Sequence, residues 1–299
     1  MTDLTIELDG IGKEYRGGKR ALDGLTLTLR PGLTGLLGPN GAGKSSLMRI
    51  LATVTRPTRG SYRYRGGDAL AKPDRVRHDL GYLPQDFGVY PNLTSREFLG
   101  YLAAAKGLSA RSARARIDQL IELVNLTEAV RRPLRGYSGG MLRRVGIAQA
   151  LLADPRVLVV DEPTAGLDPE ERVRLRNLLG ELAVDRIVLL STHIVSDVEA
   201  TAADLAVLAH GRLLRRGTPD QLLRELHGRV WELTVAPAEV PGLQARHRVG
   251  RTVRTADGVR LRVLAAHPPA HGAVPVPPDL EDVYLAAVHG APAPQEALR

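Results

Sequence analysis

Along the chain, the spacing of apolar positions shifts from strand-like to helical and back. The opening T-I-E-L and the later L-T-L-T-L at 25–29 alternate apolar with polar residues, which predicts half-buried strands. Leu36 and Leu37 lead into a glycine-rich stretch, and S-S-L-M-R-I-L-A continues with helical character. From about 86 to 155 the pattern is helical throughout. Thr94 and Glu97 have capping-box spacing ahead of F-L-G-Y-L, and Ile117, Leu120, Ile121 and Val124 recur on one face. M-L-R-R-V-G-I-A-Q-A-L-L then keeps Leu142, Val145 and Leu152 in phase for another helix. The block predicts a small helical subdomain set into an α/β domain.

Beyond it the α/β pattern resumes. V-L-V-V at 157–160 and I-V-L-L at 187–190 are continuously apolar, as strands buried on both faces are. Between them Asp168-Pro169 supplies a helix start, followed by an apolar face of Leu175, Leu178, Leu179 and Leu182. L-A-V-L, H-G and R-L-L predict a hairpin that closes this domain near residue 217. The composition then changes. V-W-E-L-T-V and V-R-L-R-V predict strands, P-P-A-H-G-A-V-P-V-P-P a loop, and D-L-E-D-V-Y-L-A-A a short helix. Residues 221–299 are expected to form a separate small module with a poorly ordered tail, and no chemistry is legible in them.

Composition narrows the class. The chain has 299 residues, 43% hydrophobic and 25% charged, as an ordinary globular protein does. No apolar run is long enough to span a bilayer. The start M-T-D-L-T-I-E-L-D-G lacks a basic stretch followed by an apolar one, so no secretory signal is expected there. Cysteine is absent, which removes thiolate metal sites and cysteine nucleophiles. A cytoplasmic location is expected. The net charge of +8 invites a nucleic-acid reading. However, the basic residues are mostly scattered Arg with few aromatics between them, which favours a compositional origin. Weak attraction to an anionic membrane surface stays compatible, and no nucleic-acid partner is expected.

The chemistry begins at G-P-N-G-A-G-K-S-S, residues 38–46. The pattern Gly38-x4-Gly43-Lys44-Ser45 between a strand and a helix is that of a phosphate-binding loop (P-loop). Its backbone amides close on phosphates, Lys44 reaches the β- and γ-phosphates, and the Ser45 hydroxyl ligates Mg²⁺. Asp161 and Glu162 end the apolar strand at 157–160. With a P-loop in the same chain, the two strands can lie side by side, so that one acid serves Mg²⁺ and the next orients or deprotonates a water. His193 ends the next buried strand, where α/β sheets bind ligands. By itself a histidine there is more often structural, and Gln85 in G-Y-L-P-Q is equally unremarkable by itself. Farther on, Ser138-Gly139-Gly140 opens a second helix with a second potential anion site. That doubling allows two phosphate ligands, or one ligand gripped from two sides.

In this order the pieces resemble the nucleotide-binding subunit of ATP-binding cassette (ABC) transporters, from the N-terminus to about residue 220. The resemblance implies an α/β P-loop cassette: a mixed-sheet core, an antiparallel β subdomain and an inserted helical subdomain, here followed by a small C-terminal α+β appendage. Tyr15 in K-E-Y matches the aromatic that stacks on adenine. Gly38, Pro39, Asn40, Gly41, Ala42, Gly43, Lys44, Ser45 and Ser46 match the P-loop, and Gln85 matches the glutamine loop that joins Ser45 and Asp161 at Mg²⁺. Ser138, Gly139 and Gly140 match the core of the signature sequence. Asp161 with Glu162 resembles the Mg²⁺ strand and catalytic glutamate, Asp168 in A-G-L-D the aspartate loop, and His193 in S-T-H the switch histidine. Tyr137, Met141 and Ser46 depart from the family's usual leucine, glutamine and threonine, and the serine and both glycines of the signature stay intact.

The resemblance answers the doubling. In that family two cassettes pair head to tail, and the signature of one closes over the ATP bound to the P-loop of the other. The implied function is an ATPase subunit working with a second cassette and a transmembrane subunit. Its expected ligands are ATP and Mg²⁺, with Glu162 as general base and His193 on the γ-phosphate. The G-Y-L-P-Q-D segment and the terminal D-L-E-D-V-Y-L-A resemble the drug- and polysaccharide-exporter branch, which often serves antibiotic resistance. The rival is an ATPase acting on ribosomes or DNA, whose members usually carry two cassettes or a coiled-coil insertion. Residues 86–92, D-F-G-V-Y-P-N, are expected to face the membrane partner through Phe87, Val89 and Tyr90, unless these simply pack the helical subdomain.

Overall fold

The computed structural model describes residues 3–290. In chain order, β1 (Ile6–Glu14), β2 (Arg20–Leu29), β3 (Gly32–Leu37), α1 (Lys44–Leu51), β4 (Arg59–Tyr64), β5 (Gly67–Asp68), α2 (Pro73–Asp79) and β6 (Leu80–Leu83) form the first part. The helical block holds α3 (Ser95–Ala105), α4 (Ala110–Leu123) and α5 (Gly139–Ala150). The α/β pattern returns with β7 (Val157–Asp161), α6 (Pro169–Leu182), β8 (Ile187–Thr192), α7 (Ser196–Glu199), β9 (Asp204–Ala209) and β10 (Arg212–Gly217). The last part comprises α8 (Pro219–Glu225), β11 (Val230–Val235), α9 (Val240–Arg246), β12 (Arg248–Thr255), β13 (Gly258–Leu264), β14 (Val274–Pro275) and α10 (Leu280–Gly290).

A six-stranded sheet of order β10-β9-β3-β8-β7-β6 is the centre, parallel except for the β9–β10 hairpin. His210 and Gly211 make the two-residue hairpin turn, both at positive φ (51° and 74°), which matches the right-handed twist of the paired strands. Alternate strand residues feed separate cores. Leu37, Leu158, Val160, Val188 and Leu190 pack toward the helical block and α6. Leu36, Val157, Val159, Ile187 and Leu189 pack toward α1 and the antiparallel sheet β2-β1-β4-β5. A sheet covered on both faces needs strands that are apolar at every position, which is why 157–160 and 187–190 do not alternate. Contrary to the side-by-side expectation, β8 runs between β3 and β7.

The helical block has the expected caps. Thr94 and Glu97 complete a reciprocal capping box on α3, and Ser138 caps α5. Packing at the C-terminal end does not follow a boundary at 220/221. Leu222 of α8 and Leu280, Val283 and Ala287 of α10 join the core of the main sheet. Only the sheet β12-β13-β11-β14 with α9 packs around its own small centre of Leu233, Leu243, Val259, Leu261 and Val263. The region therefore reaches back into the cassette through its last helix. Of the tail expected to be poorly ordered, residues 291–299 lie outside the described residues.

Candidate functional site

The site gathers at the C-terminal ends of β3, β6, β7 and β8, where an open α/β sheet presents its loops to a ligand. Residues 38–43 turn from β3 into α1. Gly43 precedes the helix at φ 105°, in the left-handed region, and no side chain caps the first turn of α1. The amides of that turn are thus available to an anion. A Cβ on Gly43 would lie 2.4 Å from the Ala21 carbonyl oxygen, and one on Gly38 2.5 Å from that of Leu208, so both glycines are demanded by this chain's own packing.

Lys44 is buried. Its ammonium donates to the carbonyls of Gly38 (2.6 Å) and Pro39 (3.3 Å) and lies 3.8 Å from Glu162 Oε1. Burial pushes its pKa below the ordinary lysine range, opposed by the charges of Glu162 and Asp161. Glu162 in turn meets His193, with Oε2 and Nδ1 2.7 Å apart, so a buried carboxylate connects the P-loop lysine to a histidine that is about half exposed. Glu162 holds φ 51°, uncommon for a residue with a side chain, and its amide donates to the carbonyl (3.1 Å) and hydroxyl (3.2 Å) of Ser191. The Ser191 hydroxyl donates to Asp161 Oδ1. One serine on β8 therefore orients both acids at the end of β7.

The remaining predicted residues fall into two groups. Near the P-loop, the Tyr15 hydroxyl and Ser46 Oγ are 3.2 Å apart, and the Lys13 ammonium lies 5.1 Å from the Tyr15 ring centre. Ser45 is half-buried in the first turn of α1, and the Gln85 side chain is exposed just beyond β6. Away from it, Ser138 and Gly139 are exposed, and Ser138 Oγ accepts from the Met141 amide at 3.2 Å. A Cβ on Gly140 would touch Leu167 (3.4 Å) and Gly166 (3.5 Å), so the signature turn lies against the aspartate loop. Asp168 caps α6 by accepting from the Glu171 amide at 2.9 Å. Among the described residues, no hydrogen bond or ion pair joins Ser138, Gly139, Gly140 or Asp168 to the P-loop, Glu162 or His193.

Residues that the pattern did not single out organise the site. Besides Ser191, buried Asp197 accepts from Thr164 (2.6 Å) and Thr192 (3.2 Å), tying the segment after Glu162 to the strand before His193. Arg143 is buried on α5 and donates only to backbone carbonyls around Gln85 and Glu162. Burial lowers its pKa, while Asp161, Glu162 and Asp86 hold it up. A signal for it was present. Arg143 stands four residues before Ile147 and seven before Ala150, both buried, so a charge occupies the apolar stripe of a helix. The loop after Gln85 divides: Phe87 and Val89 pack onto the main core, whereas Tyr90 is 52% exposed and meets Phe98 and Tyr101 edge to face.

A P-loop at the end of a central strand, a strand ending in Asp-Glu, a histidine against that glutamate and a capped serine-glycine-glycine turn together define an ATPase of the cassette class. The chain belongs to the ATP-binding subunits of ABC transporters, which hydrolyse ATP to energise transport. The ABC transporter family model matches residues 22–165. A daunorubicin resistance ATP-binding protein of Streptomyces coeruleorubidus is 40% identical over 76% of this chain and 72% of its own length. A Nod factor export ATP-binding protein I of a Rhizobium species is 36% identical over 95% of this chain and 97% of its own. Among solved structures, the ATP-binding subunit of an ABC transporter aligns with TM-score 0.67 and 29% identity over 74% of this chain and 92% of that one. A dimeric cassette in a post-hydrolysis state with ADP and phosphate aligns at 0.66 and 25%, over 71% and 98%. These relatives favour a transporter subunit over an ATPase acting on ribosomes or DNA. No helix among the described residues is long and apolar enough to cross a membrane.

Proposed function

We propose that the chain is one half of a head-to-tail pair of cassettes, seated on a transmembrane subunit at the inner face of a cell membrane and driving export. The other half is a second copy or a paralogue. The relatives' names, resistance to daunorubicin and export of Nod factor, support the export direction, while the cargo is chosen by the membrane subunit. The convergence of Lys44, Glu162 and His193 from three separate elements carries the reading. Lys44 and the loop amides hold the β- and γ-phosphates, and Tyr15 faces the adenine. Glu162, oriented by Ser191, takes the proton of the attacking water, and His193 contacts the γ-phosphate.

Mg²⁺ fits the donors present. Ser45, Gln85 and Asp161 offer hydroxyl, amide and carboxylate oxygens, the hard ligands this ion prefers. Asp161 has one carboxylate oxygen bonded to Ser191 and the other without a hydrogen bond among the described residues. Bound with the nucleotide, the ion would neutralise charge on the phosphate oxygens.

The exposed signature supports the pairing. Among the described residues no hydrogen bond or ion pair joins Ser138 or Gly139 to their own P-loop, which is what a signature serving another chain's ATP requires. Toward the membrane subunit, the inward turn of Phe87 and Val89 leaves Tyr90 and Tyr101 as the apolar surface on offer. Glu162→Gln tests the chemistry, because it preserves shape and removes the base. Hydrolysis should slow by about 10²–10⁴-fold with ATP affinity retained, and ATP should hold the variant as a dimer in size-exclusion chromatography. Hydrolysis near the wild-type rate would remove Glu162 from the chemistry.

A further inference from the structure

Arg143 lies on α5, one turn beyond the signature glycines. Its Nη1 donates to the carbonyls of Pro84 (3.0 Å) and Gln85 (2.8 Å), its Nε to that of Pro163 (3.3 Å), and its Nη2 to that of Asp161. A guanidinium removed from water must have its N–H groups satisfied, and here every acceptor is backbone on one of two segments. One segment carries Gln85. The other brackets Glu162 on both sides. An apolar side chain of similar volume would fill the same space without the desolvation cost, so what Arg143 adds is direction: a planar fork fixes both segments relative to one helix. A second contact agrees. Gly146, next on the same helix, has the Phe87 ring and Leu83 so close that a Cβ would meet either at 2.7 Å. Helix α5 is thus held flush against the glutamine loop as well as bonded to it.

We propose that Arg143 is a positioning residue that locks the signature helix to the glutamine loop and to the strand end carrying Asp161 and Glu162, so that closure of the signature on the partner's ATP sets the geometry of this chain's own base. The role rests on the paired reading above. It makes the two nucleotide sites of the pair mechanically continuous. The signature of one chain serves the partner's phosphate, while the carboxylates on the backbone segment bonded behind it serve the chain's own.

The test compares Arg143→Met and Arg143→Lys with wild type, measuring ATP affinity, the maximal hydrolysis rate per folded molecule, the Hill coefficient for ATP and thermal unfolding. Arg143→Met should bind ATP within about threefold of wild type yet hydrolyse at least about 30-fold more slowly, with the Hill coefficient falling toward about one. Lysine has three donors without the fork, so Arg143→Lys should recover part of the rate and fall short by about tenfold. If Arg143→Met does not fold, the lysine variant decides on the same readouts. Wild-type rate and cooperativity in the folded variants overturn the role. So does a loss of ATP affinity that follows thermal stability, with lysine restoring everything, since that marks a packing residue. A wild type without cooperativity, together with a Glu162→Gln chain that stays monomeric in ATP, overturns the pairing and this role with it.

Discussion

Two helix N-termini in this molecule have the composition of anion sites, and they are built in opposite ways. Helix α1 begins at Gly43 without a side-chain cap, and the lysine beside it is buried and in reach of Glu162. Helix α5 begins at an exposed serine that caps its own helix, with Gly139 open to solvent. The first site is assembled by one chain: Gly38 and Gly43 are forced by neighbouring backbone, and its charges converge. The second has a serine, two glycines and an oriented helix end, with nothing of its own to act on. A half-site of that kind makes sense where a second body supplies the rest.

The largest contrast is expected from one lesion in each cradle. Lys44→Ala and Ser138→Arg should each reduce hydrolysis by about 10²-fold or more, because each removes one of the two sides that grip one transition state. They should part on nucleotide binding, measured by equilibrium titration with a fluorescent ATP analogue. Lys44→Ala should lose most of its affinity, and Ser138→Arg should keep it. Equal loss in both would mean that the two cradles serve one ligand within one chain.

A smaller contrast concerns stability. Gly43→Ala drives a Cβ to 2.4 Å from the Ala21 carbonyl oxygen at a φ that disfavours side chains, and should lower unfolding stability by about 2 kcal/mol or more. Gly139→Ala meets nothing within 4 Å. On helix propensity it should be neutral or stabilising by up to about 1 kcal/mol, while still slowing hydrolysis if that glycine approaches a partner's phosphate. Urea denaturation together with rate measurements separates the two. A marked stability loss at Gly139 would make it a folding residue rather than a contact residue.

The same division explains what could be read from the sequence. Motifs whose function depends on backbone conformation need particular residue types at fixed spacing, so the P-loop, Asp161-Glu162 and the signature were legible. The buried strands were legible because a sheet covered on both faces makes the runs 157–160 and 187–190 continuously apolar. The order of strands was not: nothing in either apolar run states that β8 lies between β3 and β7. Ser191 and Asp197 escaped because each works through a partner far off in sequence: Asp161 is 30 residues from Ser191, on the adjacent strand, and Thr164 is 33 residues from Asp197. Arg143 was visible only as a charge misplaced on an apolar stripe. At the C-terminal end, β12 alternates poorly and is exposed at most positions, so it lacks the period that marks a strand. That α10 packs into the cassette core is a tertiary fact with no local sign, since an amphipathic helix does not name its partner.

The central claim is that the exposed signature of one chain meets the P-loop of another. The chain contains no cysteine, so a pair introduced one per chain reports contact cleanly. Asn40 is exposed on the P-loop and Ser138 is exposed at the signature. Two differently tagged populations are mixed under mild oxidation, one carrying Glu162→Gln with Asn40→Cys and the other Glu162→Gln with Ser138→Cys. With ATP, disulfides should join the two tags, and without nucleotide they should be scarce. Failure to crosslink in ATP while both chains still bind it, or crosslinks only between chains of the same tag, would contradict the head-to-tail pair.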